Sequence, residues 1–276
     1  MATRASIPED KQFRRQTGLT TCSYTKQLRR SLLFSRKMNI GIIGAGYIGS
    51  TLAGRLTSLG HKVSIANSRG PETLQDVVAK TGATAVTPQE AARSGEIVIV
   101  TIPLKNIPDL PQDLFEGVSD DVVVVDTSNY YPKLRDGQMP EFDGESNLTE
   151  SEWVQQHLGR PVIKVFNNIA FSSLGNAGKP AGTPGRIGLP VSGDDAANKQ
   201  KVMQLVDELG FDPVDGGSLH ESWRQQPGTP IYGTDSTAAE IQKQLDSMGT
   251  ERTPEQHQQF AANHAALEKK IMQDHS

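Results

Sequence analysis

Gly44, Gly46 and Gly49 stand at the spacing G-x-G-x-x-G, directly after the apolar run Asn39-Ile40-Gly41-Ile42-Ile43 and directly before Ile48, Leu52, Leu56 and Leu59 at helical spacing. Three glycines recur by chance in a chain that holds 26 of them, so the flanking pattern carries the argument. A continuous apolar run suits a buried parallel strand, and the later period suits a helix on its face. In such a strand, turn and helix, the first glycine permits the tight turn. The second lets a pyrophosphate approach the backbone, and the third lets the helix lie close to the sheet. The unpaired N–H groups of the first helical turn then hold the phosphate charge.

The next strand-like run, Lys62 to Ala66, ends in Asn67-Ser68-Arg69. A dinucleotide site that reads a free ribose 2′-hydroxyl carries an acid here. No acid is present. Asn67 and Ser68 are neutral hydrogen-bonding residues, and the Arg69 guanidinium is a planar fork suited to a 2′-phosphate. The sequence thus predicts NADP(H) over NAD(H) as the cofactor, the alternative for Arg69 being a solvated residue before the Gly70-Pro71 turn.

Around these residues the chain reads as strands separated by helical stretches. Helices are expected at Glu72 to Lys80, Pro88 to Ser94, Asn106 to Phe115, Thr149 to Leu158 and Ala196 to Leu209. Strands are expected at Ala83 to Val86, Ile97 to Ile102, Val122 to Asp126, Val162 to Phe166, Ile187 to Val191 and Phe211 to Asp215. The fold class is therefore α/β, a Rossmann-type doubly wound, mainly parallel sheet with helices on both faces. Residues 129–150 form a long connection containing Tyr130-Tyr131, and long loops of this kind tend to be functional. Residues 171–186, rich in Gly, Pro and Ser, read as a loop. Two polar helices, about 237–247 and 254–273, close the chain.

Residues 1–37 hold nine Lys and Arg against Glu9 and Asp10, a net of +7, so the whole-chain net of −4 leaves −11 for residues 38–276. An acidic body argues against general nucleic-acid binding. No apolar run approaches the ~20 residues needed to span a bilayer. The expected organisation is a disordered basic extension (1–37), an NADP-binding domain (38–222) and a polar C-terminal segment (223–276). Met38 stands just before the first strand as a true start would, and the acids interrupt what a transit peptide should lack. The expected location is cytoplasmic, with an organelle as the alternative if the extension is a transit peptide. The only cysteine, Cys22, lies in the extension, so no intrachain disulfide or cysteine metal site is expected. Asp194-Asp195 reads as a helix N-cap rather than a metal pair.

Several separated segments resemble the family of F420-dependent NADP reductases over residues 38 to about 222. They are the glycine turn, Leu59-Gly60-His61 with Ser68-Arg69, Val100-Thr101-Ile102-Pro103, Pro190 to Asp195, Val202-Met203 and Asp215-Gly216-Gly217-Ser218-Leu219. The resemblance implies that Gly44, Gly46, Tyr47, Ile48 and Gly49 hold the pyrophosphate, that Ser68 and Arg69 hold the 2′-phosphate, and that Thr101, Ile102 and Pro103 line the nicotinamide ribose. Pro103 serves equally as a strand terminator. The family's further basic residue after Ser-Arg is replaced here by Gly70-Pro71-Glu72-Thr73, and its apolar C-terminal helices by a polar tail.

Asn167 and Asn168 end a strand, where their amides can meet the nicotinamide side or the acceptor, or satisfy loop backbone. Trp223 and Arg224 offer an aromatic face and a cation that can hold a planar anionic acceptor, or a packing anchor. The expected activity is hydride transfer between NADPH and coenzyme F420, a flavin, or a small carbonyl or imine compound. An NADPH-binding sensor or scaffold without turnover is the alternative, and a homodimer is the expected assembly. Lys164 lies within a strand and is not read as catalytic, and no catalytic acid or base is assigned.

Overall fold

The computed structural model describes residues 36–142 and 146–274. All but the last two residues of the basic extension, and Cys22 and Gly144 with them, lie outside the described residues.

Six parallel strands form the main sheet: β1 (Asn39–Ile43), β2 (Lys62–Ala66), β3 (Thr84–Ala85), β4 (Ile97–Val100), β5 (Val123–Asp126) and β6 (Val162–Lys164), in the order β3-β2-β1-β4-β5-β6. Strand order reverses at β1, whose neighbours are β2 and β4. That leaves a crevice at the strands' carboxyl ends, where open α/β sheets bind ligands.

The continuous apolar runs serve two cores at once, because successive side chains leave opposite faces of a strand. Ile40, Ile42, Ile97, Ile99, Val123 and Val125 face one core. There they meet Leu52 and Leu56 of α1 (Tyr47–Ser58), with Leu174 of α5 (Phe171–Asn176) and Val202, Leu205 and Val206 of α6 (Ala196–Glu208). Ile43, Val98, Val100 and Val124 face the other, with Ala91 and Ala92 of α3 (Pro88–Ser94) and Trp153 and Val154 of α4 (Glu150–Leu158). Gly41 lets α3 lie against the strand: a Cβ there would stand 2.1 Å from the carbonyl oxygen of Ala91.

A second pair of parallel strands, β7 (Gly188–Val191) and β8 (Asp212–Asp215), continues from β6 through one antiparallel bridge, in which Lys164 and Ser192 exchange backbone hydrogen bonds of 2.8 and 3.0 Å. Asp195 caps α6 as the sequence predicts, its side chain accepting from the Asn198 N–H, while Asp194 accepts from the Leu219 N–H at 2.8 Å.

Several expectations change. The expected helix over Glu72–Lys80 divides into a 3-10 turn, Pro71–Leu74, and α2 (Gln75–Thr81). The expected loop 171–186 begins with α5, too short for a period to show. Arg55 of α1 holds it by donating to the Leu174 carbonyl, and donates also to the Leu209 carbonyl at the end of α6. The expected helix Asn106–Phe115 is instead a 3-10 turn, Leu104–Asp109, with Pro108 inside it. Proline carries no N–H for a continuing ladder.

The two C-terminal helices, α7 (Ala238–Met248) and α8 (Pro254–Asp274), have inward-facing contacts that the sequence reading underrated. Ile241, Leu245 and Met248 bury against Val214, Trp223 and Ile231. The buried Glu268 of α8 accepts from the backbone N–H groups of Lys133 and Leu134 at 2.9 and 3.1 Å. No helix among the described residues is long and apolar enough to cross a membrane.

Candidate functional site

The glycine turn joins three strand ends. The Gly44 N–H donates to the carbonyl of Ala66 after β2, and the Thr101 N–H after β4 donates to that of Ile43. Gly44 has φ +119°, and a Cβ on it would stand 2.1 Å from the Thr101 carbonyl oxygen. A Cβ on Gly49 would stand 1.9 Å from the Gly44 carbonyl oxygen, so this glycine lets α1 dock and does not itself face the crevice. Gly46 differs: a Cβ there meets nothing within 4 Å. Gly46 is also the N-cap of α1 and has no side chain to cap it, whereas Thr87, Thr149, Asp195 and Thr237 cap their helices. The first-turn N–H groups, those of Tyr47 and Ile48 among them, therefore face open space suited to an anion. The side chains of these two go elsewhere. Tyr47 is exposed and stacks on Phe171 with ring centroids 4.8 Å apart, and Ile48 packs on the core.

A cleft of about 650 Å³ at this turn is lined by Gly44 and Gly46, by Asn67, Ser68 and Arg69, and by Thr101, Ile102 and Pro103. Asn67 lines the cleft, and its side chain shapes the turn. Its Oδ1 accepts from the Arg69 N–H at 3.0 Å, and its Nδ2 donates to Thr73 Oγ1 at 2.9 Å. This locks the backbone that carries Ser68 and Arg69, both exposed. The Arg69 guanidinium has no ion pair or hydrogen bond among the described residues. Glu72 turns its carboxylate back over Gly70, where a Cβ would stand 2.5 Å from Oε1.

Outside the cleft lining, the segments that follow β5 and β6 carry further polar groups. Phe166 adopts φ +64°, a left-handed backbone unusual for a bulky residue. The sharp turn ends β6 two residues short of the expected Phe166 and re-aims Asn167 and Asn168. Asn167 is fully engaged: Nδ2 donates to Asn129 Oδ1 (3.0 Å) and the Gln225 carbonyl (2.7 Å), and Oδ1 accepts from Gln225 Nε2 (2.8 Å). Its amide is a strut, not a ligand contact. Asn168, only 1% exposed, has neither amide atom hydrogen-bonded. A buried amide without a partner is costly, so this one calls for a partner that the described residues do not supply.

Two side chains unassigned in the sequence meet here. The Tyr131 and Tyr232 hydroxyls are in hydrogen-bond contact, and Asn129 Nδ2 donates to Tyr232 Oη at 3.2 Å. Burial pushes both phenols above their ordinary range. Beneath them Lys164, fully buried, donates to Asp126 Oδ2 at 3.0 Å and to the Ser128 carbonyl. Burial alone would raise the Asp126 carboxyl. Lys164 and hydrogen bonds from Ser128 and Ser151 outweigh it and hold the group below the usual carboxylate range. Glu150, whose Oε2 is 3.8 Å from Lys164 Nζ, is pushed up to about 7 by burial, which Lys164 only partly offsets. The Tyr130-Tyr131 pair in its long loop was a visible signal. Tyr232 lay in a turn-rich stretch with no periodicity to place it.

Trp223 and Arg224 do not join the site. The Trp223 ring is buried with its Nε1 donating to the Thr250 carbonyl. Arg224 spends its guanidinium on Glu221 and on the carbonyls of Gly216, Leu245 and Gly249. Both fasten the C-terminal segment to β8. Among the described residues no group of three or more His, Cys, Asp or Glu side chains could hold a metal ion.

Residues 39–130 match the family model described as NADP oxidoreductase, coenzyme F420-dependent. The protein SMa0349 of Sinorhizobium meliloti has a similar structure, 33% identical, with a TM-score of 0.60, covering 74% of this chain and 97% of that one. A structure from Arthrobacter sp. FB24, described as an F420-dependent NADP reductase, is 26% identical with a TM-score of 0.54, covering 68% of this chain and 87% of that one. YjhV of Escherichia coli K12 is 45% identical over 80 residues, 29% of this chain, and the match spans about half (51%) of its own length.

Proposed function

Because the chain belongs to the family of coenzyme F420-dependent NADP oxidoreductases, we propose that it moves hydride between NADP(H) and a planar acceptor such as F420 or a flavin, or a small carbonyl or imine compound. The observation that carries this reading is that two features line one cleft. The helix start at Gly46 faces open space and lacks a side-chain cap. The Arg69 guanidinium stands after β2 with no partner among the described residues, where an NAD site would carry a repelling acid. The open face of Gly46 fits a pyrophosphate, and Ser68 with Arg69 fits a 2′-phosphate.

In this reading the first-turn N–H groups of α1 bind the pyrophosphate and Arg69 selects the phosphorylated ribose. Thr101, Ile102 and Pro103 orient the nicotinamide end against the ends of β5 and β6. A bound reduced nicotinamide supplies two electrons with a hydrogen, and most of the acceleration of such a transfer comes from positioning. The buried amide of Asn168 supports an acceptor or carboxamide contact at that end.

Stopped-flow decay of the NADPH absorbance with F420, FMN and a panel of carbonyl and imine acceptors tests the proposal. Oxidation of bound NADPH by at least one of them is the expected result. Tight NADPH binding with no acceptor reduced would replace it with a sensor or scaffold role.

A further inference from the structure

The two tyrosine hydroxyls carry two protons but make one bond to each other. Asn129 Nδ2 donates into Tyr232 Oη, so it uses an acceptor position and leaves the proton count unchanged. Whichever phenol donates to its neighbour, the other retains an O–H for which no acceptor exists among the described residues. Both rings are half-buried rather than sealed, and burial keeps them protonated through the neutral range.

Hydrogen bonds tie the backbone that carries Tyr131 to the strand ends beside the cleft. The Thr127 N–H donates to the Val100 carbonyl at 3.2 Å, so the chain leaving β5 runs beside the chain leaving β4 toward Thr101. The Asp136 carboxylate then accepts from the Tyr131 N–H at 2.8 Å and from the Lys105 N–H at 3.5 Å. Lys105 Nζ donates to the Arg135 carbonyl at 2.6 Å. One carboxylate thus ties the backbone of Tyr131 to that of Lys105, two residues past Pro103. Asn129 meanwhile donates to both the Asn167 carbonyl and Tyr232.

We propose that Tyr131 and Tyr232 act as one proton donor to the acceptor, which is therefore a compound that takes hydride on carbon and a proton on a conjugated or bonded nitrogen or oxygen. This rests on the hydride-transfer reading above. As the carbon–hydrogen bond forms, the acceptor's π electrons move to its heteroatom, which takes the unaccepted phenol proton. The phenolate left behind is held by the other hydroxyl and, for Tyr232, the Asn129 N–H, and it regains its proton from water. The same O–H binds the heteroatom before transfer.

The test uses the full chain with F420 as probe and the variants Tyr131→Phe, Tyr232→Phe and the double change. The expected result is a fall in kcat of about 10²-fold or more in at least one single variant, the magnitude of a lost general acid. The double variant should be no slower than the worse single. NADPH affinity by calorimetry should be unchanged, while F420 affinity of the NADP⁺-bound protein, read by fluorescence, falls about tenfold. Variants that match the wild type in kcat and in F420 affinity would remove the tyrosines alone. A wild type that binds NADPH but reduces no acceptor would remove the hydride-transfer reading and the proton donor with it.

Discussion

Gly44 and Thr101 are locked together: the left-hand-side φ of +119° at the glycine brings its Cα under the Thr101 carbonyl, where a Cβ would stand 2.1 Å from the oxygen. Backbone cannot yield that much, and the conformation is strained for any L side chain. Gly44→Ala should therefore destabilise the fold by about 2–4 kcal/mol in urea titration. Gly46→Ala should leave stability within about 0.5 kcal/mol and instead weaken NADPH binding, because its Cβ enters open space that the proposed function assigns to a pyrophosphate. Equal stability losses for the two would contradict these separate roles.

Lys164 and Asp126 form a fully buried ion pair 3.0 Å apart, with Ser151 Oγ donating to the same carboxylate oxygen at 2.7 Å. Removing one charge strands the other in a low dielectric. Lys164→Met should cost about 3–5 kcal/mol, the range for a broken buried pair. A loss below about 1 kcal/mol by chemical denaturation would show that the site relaxes or admits water.

Glu150 introduces a pH dependence of defined sign. Its carboxyl is raised from 4.5 to about 7 by burial, so between those values the native state binds more protons than the unfolded chain. Stability then falls as pH rises from about 5 to 8, by up to about 3 kcal/mol from this group. Glu150→Gln, which carries no titrating proton, should gain stability relative to wild type across that window. Denaturation curves of the two at pH 5 and pH 8 that keep a constant separation would contradict the assignment.

The sheet was legible because its strands are buried on both faces. Runs such as Ile97 to Val100 and Val123 to Val125 have no polar member, and α1 and α6 keep a helical period in Leu52 and Leu56 and in Val202, Leu205 and Val206. The strand ends were not legible, since Phe166 leaves the ladder through a left-handed backbone that its residue type does not announce. The position of the glycine turn after β1, and of Ser68-Arg69 after β2, was readable from the glycine spacing together with its flanking strand and helix patterns. Local chemistry gives a residue's capacity but not its partners: Asn167 and Arg224 had suitable groups, and long-range contacts with Gln225 and with the 245–249 region engaged them. Tyr131 and Tyr232, 101 positions apart, meet only through the fold.

In the proposed function Arg69 recognises a 2′-phosphate. Isothermal calorimetry of wild type and Arg69→Glu with NADPH and NADH is the direct measurement. Loss of the charge-assisted bonds and gain of a repelling carboxylate should weaken NADPH by about 10²-fold, at about 1.4 kcal/mol per tenfold, and NADH by less than about threefold. Equal losses for both nucleotides, or no NADPH binding by the wild type, would contradict it.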